Sequence, residues 1–146
     1  MAGTLYATLR DYKGRTVVSS IEVAAPTMEN AKKWAEFLNA NSDACVIAYG
    51  ITQKDVIAAD SAINGPYDRI YQRLQLMFLD VATNEARRFS IHAPDKDGME
   101  EDQEATPDLV TAAKTLLTDI GAITATATYN GSALISKGAR ATERRK

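Results

Sequence analysis

The chain has 146 residues, 45% of them hydrophobic, with 17 basic and 19 acidic side chains and a formal net charge of -2. This is enough to bury one core, or two small units sharing an interface, and the near-balanced charge excludes the global field of a nucleic-acid or membrane binder. No apolar run approaches the roughly eighteen residues of a membrane helix, the start lacks the basic and apolar regions of a signal peptide, and the single cysteine, Cys45, excludes an internal disulfide and a thiolate metal cluster, so a soluble protein of a reducing compartment is expected.

Alternation of Leu5, Ala7 and Leu9 with Tyr6, Thr8 and Arg10 predicts a half-buried strand. Asp11-Tyr12-Lys13-Gly14 supplies a turn, and Val17, Ser19, Ile21 and Val23 return antiparallel until Pro26 ends the ladder. Thr27 is placed to cap a helix from Met28 to about Asn41, with Glu29 at its positive end and an apolar face of Ala31, Trp34, Ala35 and Leu38. Cys45 to Tyr49 is almost uninterruptedly apolar and reads as a strand covered on both faces. A strand-helix-strand step of this size predicts a right-handed crossover to a parallel neighbour.

Residues 52–72 fit no clean period and form a connector, broken at Asn64-Gly65-Pro66, with Tyr67, Ile70 and Tyr71 at helical spacing. From Leu74 the opening pattern returns. Leu74, Leu76 and Phe78 lead to Asp80, and Phe89, Ile91 and Ala93 lead to Pro94, as the first copy led to Asp11 and to Pro26. An acidic insertion, Asp95 to Ala105, reads as solvated and as needing a partner to order it. Thr106 caps a second helix with Pro107 at its first position and Gly121 at its end, whose buried face is Leu109, Val110, Ala113, Leu116, Leu117 and Ile120. Alternation from Ala122 to Tyr129, a hairpin at Asn130-Gly131 and a return strand Ser132 to Ser136 complete the pattern. The fold expected is α+β: two tandem strand-strand-helix-strand units, about 4–51 and 73–136, in one β-rich domain with pseudo-two-fold symmetry, followed by a basic tail, 137–146.

No glycine-rich phosphate loop, dinucleotide fingerprint, nucleophile elbow or paired-histidine zinc helix occurs. One histidine, His92, and one cysteine, Cys45, are the only components of a conceivable Cys-His pair, and the repeat places them in different units. The cluster Asp95, Asp97, Glu100 and Glu101 has the hard oxygen ligands calcium takes, but Gly98 falls too early for an EF-hand loop. Nothing sets sugars against a carboxylate pair there. The tail carries five cations in ten residues without an interleaved aromatic, so nucleic acid is a possible but not a favoured partner. No catalytic residue, metal or cofactor is assigned.

What remains is a β-rich domain with an acidic loop and a basic tail on different elements, the arrangement of a subunit that joins head to tail. In this general profile the chain resembles small structural proteins of tailed bacteriophage particles, of the capsid-decoration or tail-tube type. The resemblance implies a non-enzymatic virion protein, assembled in the host cytoplasm, whose partners are copies of itself or other particle proteins. Intersubunit contacts are expected from Asp95, Asp97, Glu100, Glu101, Asp102 and Glu104, from Lys137, Arg140, Arg144, Arg145 and Lys146, and from Tyr67 and Tyr71. The competing reading is a ligand-binding or enzymatic α+β domain with its site between the two units.

Overall fold

The computed structural model describes residues 2–12, 14–54, 56, 72–100 and 104–136. Strands β1 (Gly3–Arg10) and β2 (Thr16–Val23) form an antiparallel hairpin in which Leu5 faces Ile21 and Leu9 faces Val17. Its turn is held by the side chain that heads it. The buried Asp11 carboxylate accepts from the Arg15 backbone at 2.9 Å and pairs with the Arg15 guanidinium at 2.6 Å.

Thr27 caps helix α1 (Met28–Ala40), its Oγ1 accepting from the Asn30 N–H at 3.1 Å, and the buried face is Ala31, Trp34, Ala35 and Leu38, as the spacing predicts. Strand β3 (Cys45–Gly50) then pairs antiparallel with β1, giving the sheet order β2-β1-β3. The helix therefore carries the chain across β1 instead of to a parallel neighbour of β2. Nor is β3 covered on both faces: Cys45 is exposed and residues 46–49 are only half-buried. An uninterrupted run of small and apolar residues suits a short edge strand as well as a central one, and periodicity does not separate the two.

The second unit has the same order of elements. Strands β4 (Gln72–Asp80) and β5 (Glu85–His92) pair antiparallel, a turn of 3-10 helix follows at Lys96–Gly98, and helix α2 (Pro107–Asp119) starts at the Thr106 cap. Leu109, Ala113, Leu117 and Ile120 are buried, whereas Val110 and Leu116 pack half-buried at the margin. Strand β6 (Ala127–Ser136) pairs with the other edge of β4, in the order β5-β4-β6.

The hairpin expected at Asn130-Gly131 is absent. Leu76 faces Ser132 and Phe78 faces Tyr129, so Asn130 and Gly131 together oppose Met77 as a bulge inside one long strand, with Gly131 at φ 106°. The same positive-φ preference that favours a tight turn also serves a bulge, and pairing along the whole of β4 decides which forms.

One core joins the halves: Leu5, Ala7 and Leu9 of β1, Leu74, Leu76 and Phe78 of β4, and the inner faces of both helices belong to a single buried cluster. The joins are reciprocal. The Ala24 N–H just after β2 donates to Gly121 O after α2 at 2.9 Å, and the Asp43 N–H after α1 donates to Ala93 O after β5 at 2.8 Å. Ser42 Oγ adds a 2.7 Å bond to His92 O, and the Phe37 and Phe89 rings meet with centroids 5.7 Å apart. Among the described residues the result is an α+β fold with two three-stranded antiparallel sheets and the two helices α1 and α2. Among the described residues no helix is long and apolar enough to cross a membrane.

Candidate functional site

The described part of the acidic insertion is tied to the rest of the fold by hydrogen bonds. Asp95 N–H donates to Asn41 O at 3.0 Å, its Oδ1 accepts from Asp97 N at 3.1 Å, and Glu100 N–H donates to Glu104 O at 2.7 Å. Met99 packs against the core, and Ala105 is buried with its N–H on Ser132 Oγ at 2.8 Å. Backbone bonds and two apolar anchors, Met99 and Ala105, thus hold the described part of the loop against the fold. Asp97, Glu100 and Glu104 point outward, and Asp95 is half-buried. Glu101, Asp102, Tyr67, Tyr71 and the tail residues Lys137, Arg140, Arg144, Arg145 and Lys146 lie outside the described residues. Among the described residues no group of three or more His, Cys, Asp or Glu is placed to hold a metal ion.

Beside this loop lies an open depression of about 870 Å³, rimmed by Glu100 and Glu104 and floored by Ala105, Pro107, Val110 and Tyr129. Tyr129 is fixed by an edge-on contact with Phe78 and by its hydroxyl, 2.7 Å from Ser132 Oγ. The rim is anionic, and the rest of the lining joins the apolar Ala105, Pro107 and Val110 to Thr111 and the Tyr129 ring.

Cys45 and His92 do not form a pair. Cys45 faces Arg10 in the first sheet and is exposed, while His92 faces Arg73 in the second. Burial, with a smaller contribution from the Arg73 charge, pushes His92 down to about 4, so the imidazole is neutral at pH 7.

Two features escaped the sequence reading. The first is the set of partners around the buried Asp80, whose carboxylate accepts from Thr124 Oγ1, from Thr126 Oγ1 at 3.0 Å and from Ala82 N at 3.0 Å. The Thr124 hydrogen bond, foremost, holds this carboxyl below its ordinary range against the opposing effect of burial. Asp11 and Asp80 both end first strands and both tie down the segment that packs on them, which accounts for the repeated aspartate as a structural device.

The second is a seam where β2 and β5 come together. A chamber of about 540 Å³ there is lined by Tyr6, Ser20, Glu22, Arg87 and Arg88 among others. A smaller one of about 210 Å³ shares Ser20 and Arg88 and is walled further by Ser19, Trp34, Ser90 and His92. Trp34 Nε1 and His92 Nδ1 are buried and have no hydrogen-bond partner. Adjacent Ser19-Ser20 and Arg87-Arg88 are the sequence trace of this seam, but only the approach of the two sheets makes it a site. No protein-family model, no curated protein sequence and no solved structure matches the chain.

Proposed function

We propose that the protein is a non-enzymatic assembly subunit, a structural protein of a virus particle that associates head to tail with copies of itself. The observation that carries this reading is the depression beside α2, where Glu100 and Glu104 rim a floor of Ala105, Pro107, Val110 and the half-exposed Tyr129. An anionic rim over an apolar floor fits a segment with cations flanking small apolar groups, and the tail from Lys137 to Lys146 has that composition. A tail seated on the next copy makes a heterologous contact, which closes into a ring or continues as a filament. Exposed ion pairs contribute only about 0–1 kcal/mol each, so charge sets register while the apolar floor supplies most of the affinity. The shared element order and the reciprocal joins between the halves support a pseudo-two-fold relation within the subunit.

The test is sedimentation and electron microscopy of the parent, a variant lacking 137–146, and the double variant Glu100→Gln/Glu104→Gln, at low and high salt. The parent should form particles that added salt weakens, and both variants should shift toward monomer. A parent that stays monomeric at high concentration, or variants that assemble like it, would refute the proposal.

The second reading, a ligand-binding domain with its site between the two units, is favoured by one observation: the β2–β5 seam contains chambers of about 540 and 210 Å³.

A further inference from the structure

The smaller seam chamber has a one-sided chemistry. Its described lining residues are Val18, Ile21 and Phe89 together with the polar Ser19, Ser20, Ser90, Trp34, His92 and Arg88. Among these none is acidic. Trp34 is 1% exposed, and its indole N–H, which can only donate, has no acceptor. His92 Nδ1 on the same wall is likewise buried and unpartnered. Arg88 is exposed at the mouth, and among the described residues neither Arg88 nor its neighbour Arg87 has a carboxylate within ion-pair distance. Arg73 adds a further positive charge near His92. Among the described residues Glu22 is the one acidic residue on the adjoining larger chamber, which also carries Arg87.

A buried donor left without an acceptor costs free energy comparable to a lost hydrogen bond, and the Trp34 indole N–H asks for an oxygen in this chamber. A chamber of about 210 Å³ is several times the roughly 30 Å³ share of one water molecule, so there is room for a small group with several oxygens. A cluster of hydroxyls and an indole N–H, closed by a guanidinium and without a carboxylate among the described residues, discriminates for negative charge.

We infer that the β2–β5 seam is a binding site for a small oxyanion, a carboxylate or a phosphate, with Trp34 Nε1–H and the serine hydroxyls donating to its oxygens and Arg88 neutralising it at the mouth. The body of a molecule bearing that group extends into the larger chamber, past Tyr6 and Arg87. The site is independent of the assembly proposal, because it lies between the sheets and uses neither the acidic loop nor the tail.

The chain carries one tryptophan, Trp34, so its fluorescence reads the site directly. The full-length protein is titrated separately with sodium phosphate, sodium acetate and, at matched ionic strength, sodium chloride. Phosphate or acetate should change the Trp34 emission saturably while chloride does not, and whichever anion acts identifies the ligand class. Arg88→Gln, an exposed change whose fold is checked by circular dichroism, should weaken binding about tenfold or more. Ser90→Ala, followed by calorimetry, should weaken it by a smaller factor with the fold intact. A flat titration, a response shared with chloride, or equal affinity in a folded Arg88→Gln variant would overturn the assignment and leave a water-filled chamber.

Discussion

Gly121→Ala tests how the two halves are held together. Gly121 has φ 80°, where an alanine costs about 1–2 kcal/mol. Its new Cβ would stand 3.2 Å from Ala24 Cβ and 3.3 Å from Ala24 N, tighter than ordinary van der Waals contact. The same Ala24 N–H donates to Gly121 O at 2.9 Å, so relief of the crowding lengthens a bond that contributes about 0.5–1.5 kcal/mol. The expected loss is therefore about 1.5–3.5 kcal/mol. Gly14→Ala is the control, since Gly14 has φ 82° and nothing within 4 Å of the added carbon, and it should lose only the conformational part. Urea unfolding followed by the emission of Trp34, which lies in the first half, measures both. Ala24→Gly in the Gly121→Ala background removes the carbon–carbon contact and should restore part of the difference. Equal losses for Gly121→Ala and Gly14→Ala would refute the argument that the Ala24–Gly121 contact is tight enough to matter.

Two further outcomes concern acid. His92 is depressed in the folded state to about 4 from an ordinary value of 6.5, so the stability it contributes is fully present above 6.5 and is lost as pH falls toward 4. An NMR titration of this sole histidine should show a midpoint near 4, and a midpoint at the ordinary value would contradict its burial beside Arg73. Asp80 is depressed below 3.8, so its contribution is present above that value and is lost as pH falls through its lower folded value. Thr124→Val removes the foremost hydrogen bond to that carboxylate and should move acid unfolding to higher pH; an unchanged acid midpoint would show that Thr126 and the turn N–H groups suffice.

Features whose cause is local were legible in the residues. Leu5, Ala7 and Leu9, and again Leu74, Leu76 and Phe78, are fully buried because period-two alternation puts one side of a strand in the core whatever its neighbours are. Thr27 and Thr106 cap their helices because the cap needs only a hydroxyl three residues before an unpaired N–H. Asn130-Gly131 shows where local information ends, since these two residues specify a positive φ and only pairing along β4 turned it into a bulge. The position of β3 on the far side of β1 was likewise outside local reach, because Cys45 to Gly50 have the composition of a strand but no signal for which edge they join. The described part of the acidic loop is held by Met99 and Ala105 at the core and by distant acceptors, Asn41 O and Ser132 Oγ, that its own charge pattern does not contain. Above all, the seam draws Ser19 and Ser20 from β2, Trp34 from α1 and Arg88, Ser90 and His92 from β5. Each of these reads alone as an ordinary strand or helix residue. They line one chamber only when the edges of the two sheets are brought together over a shared core, and that juxtaposition depends on the packing of the whole chain.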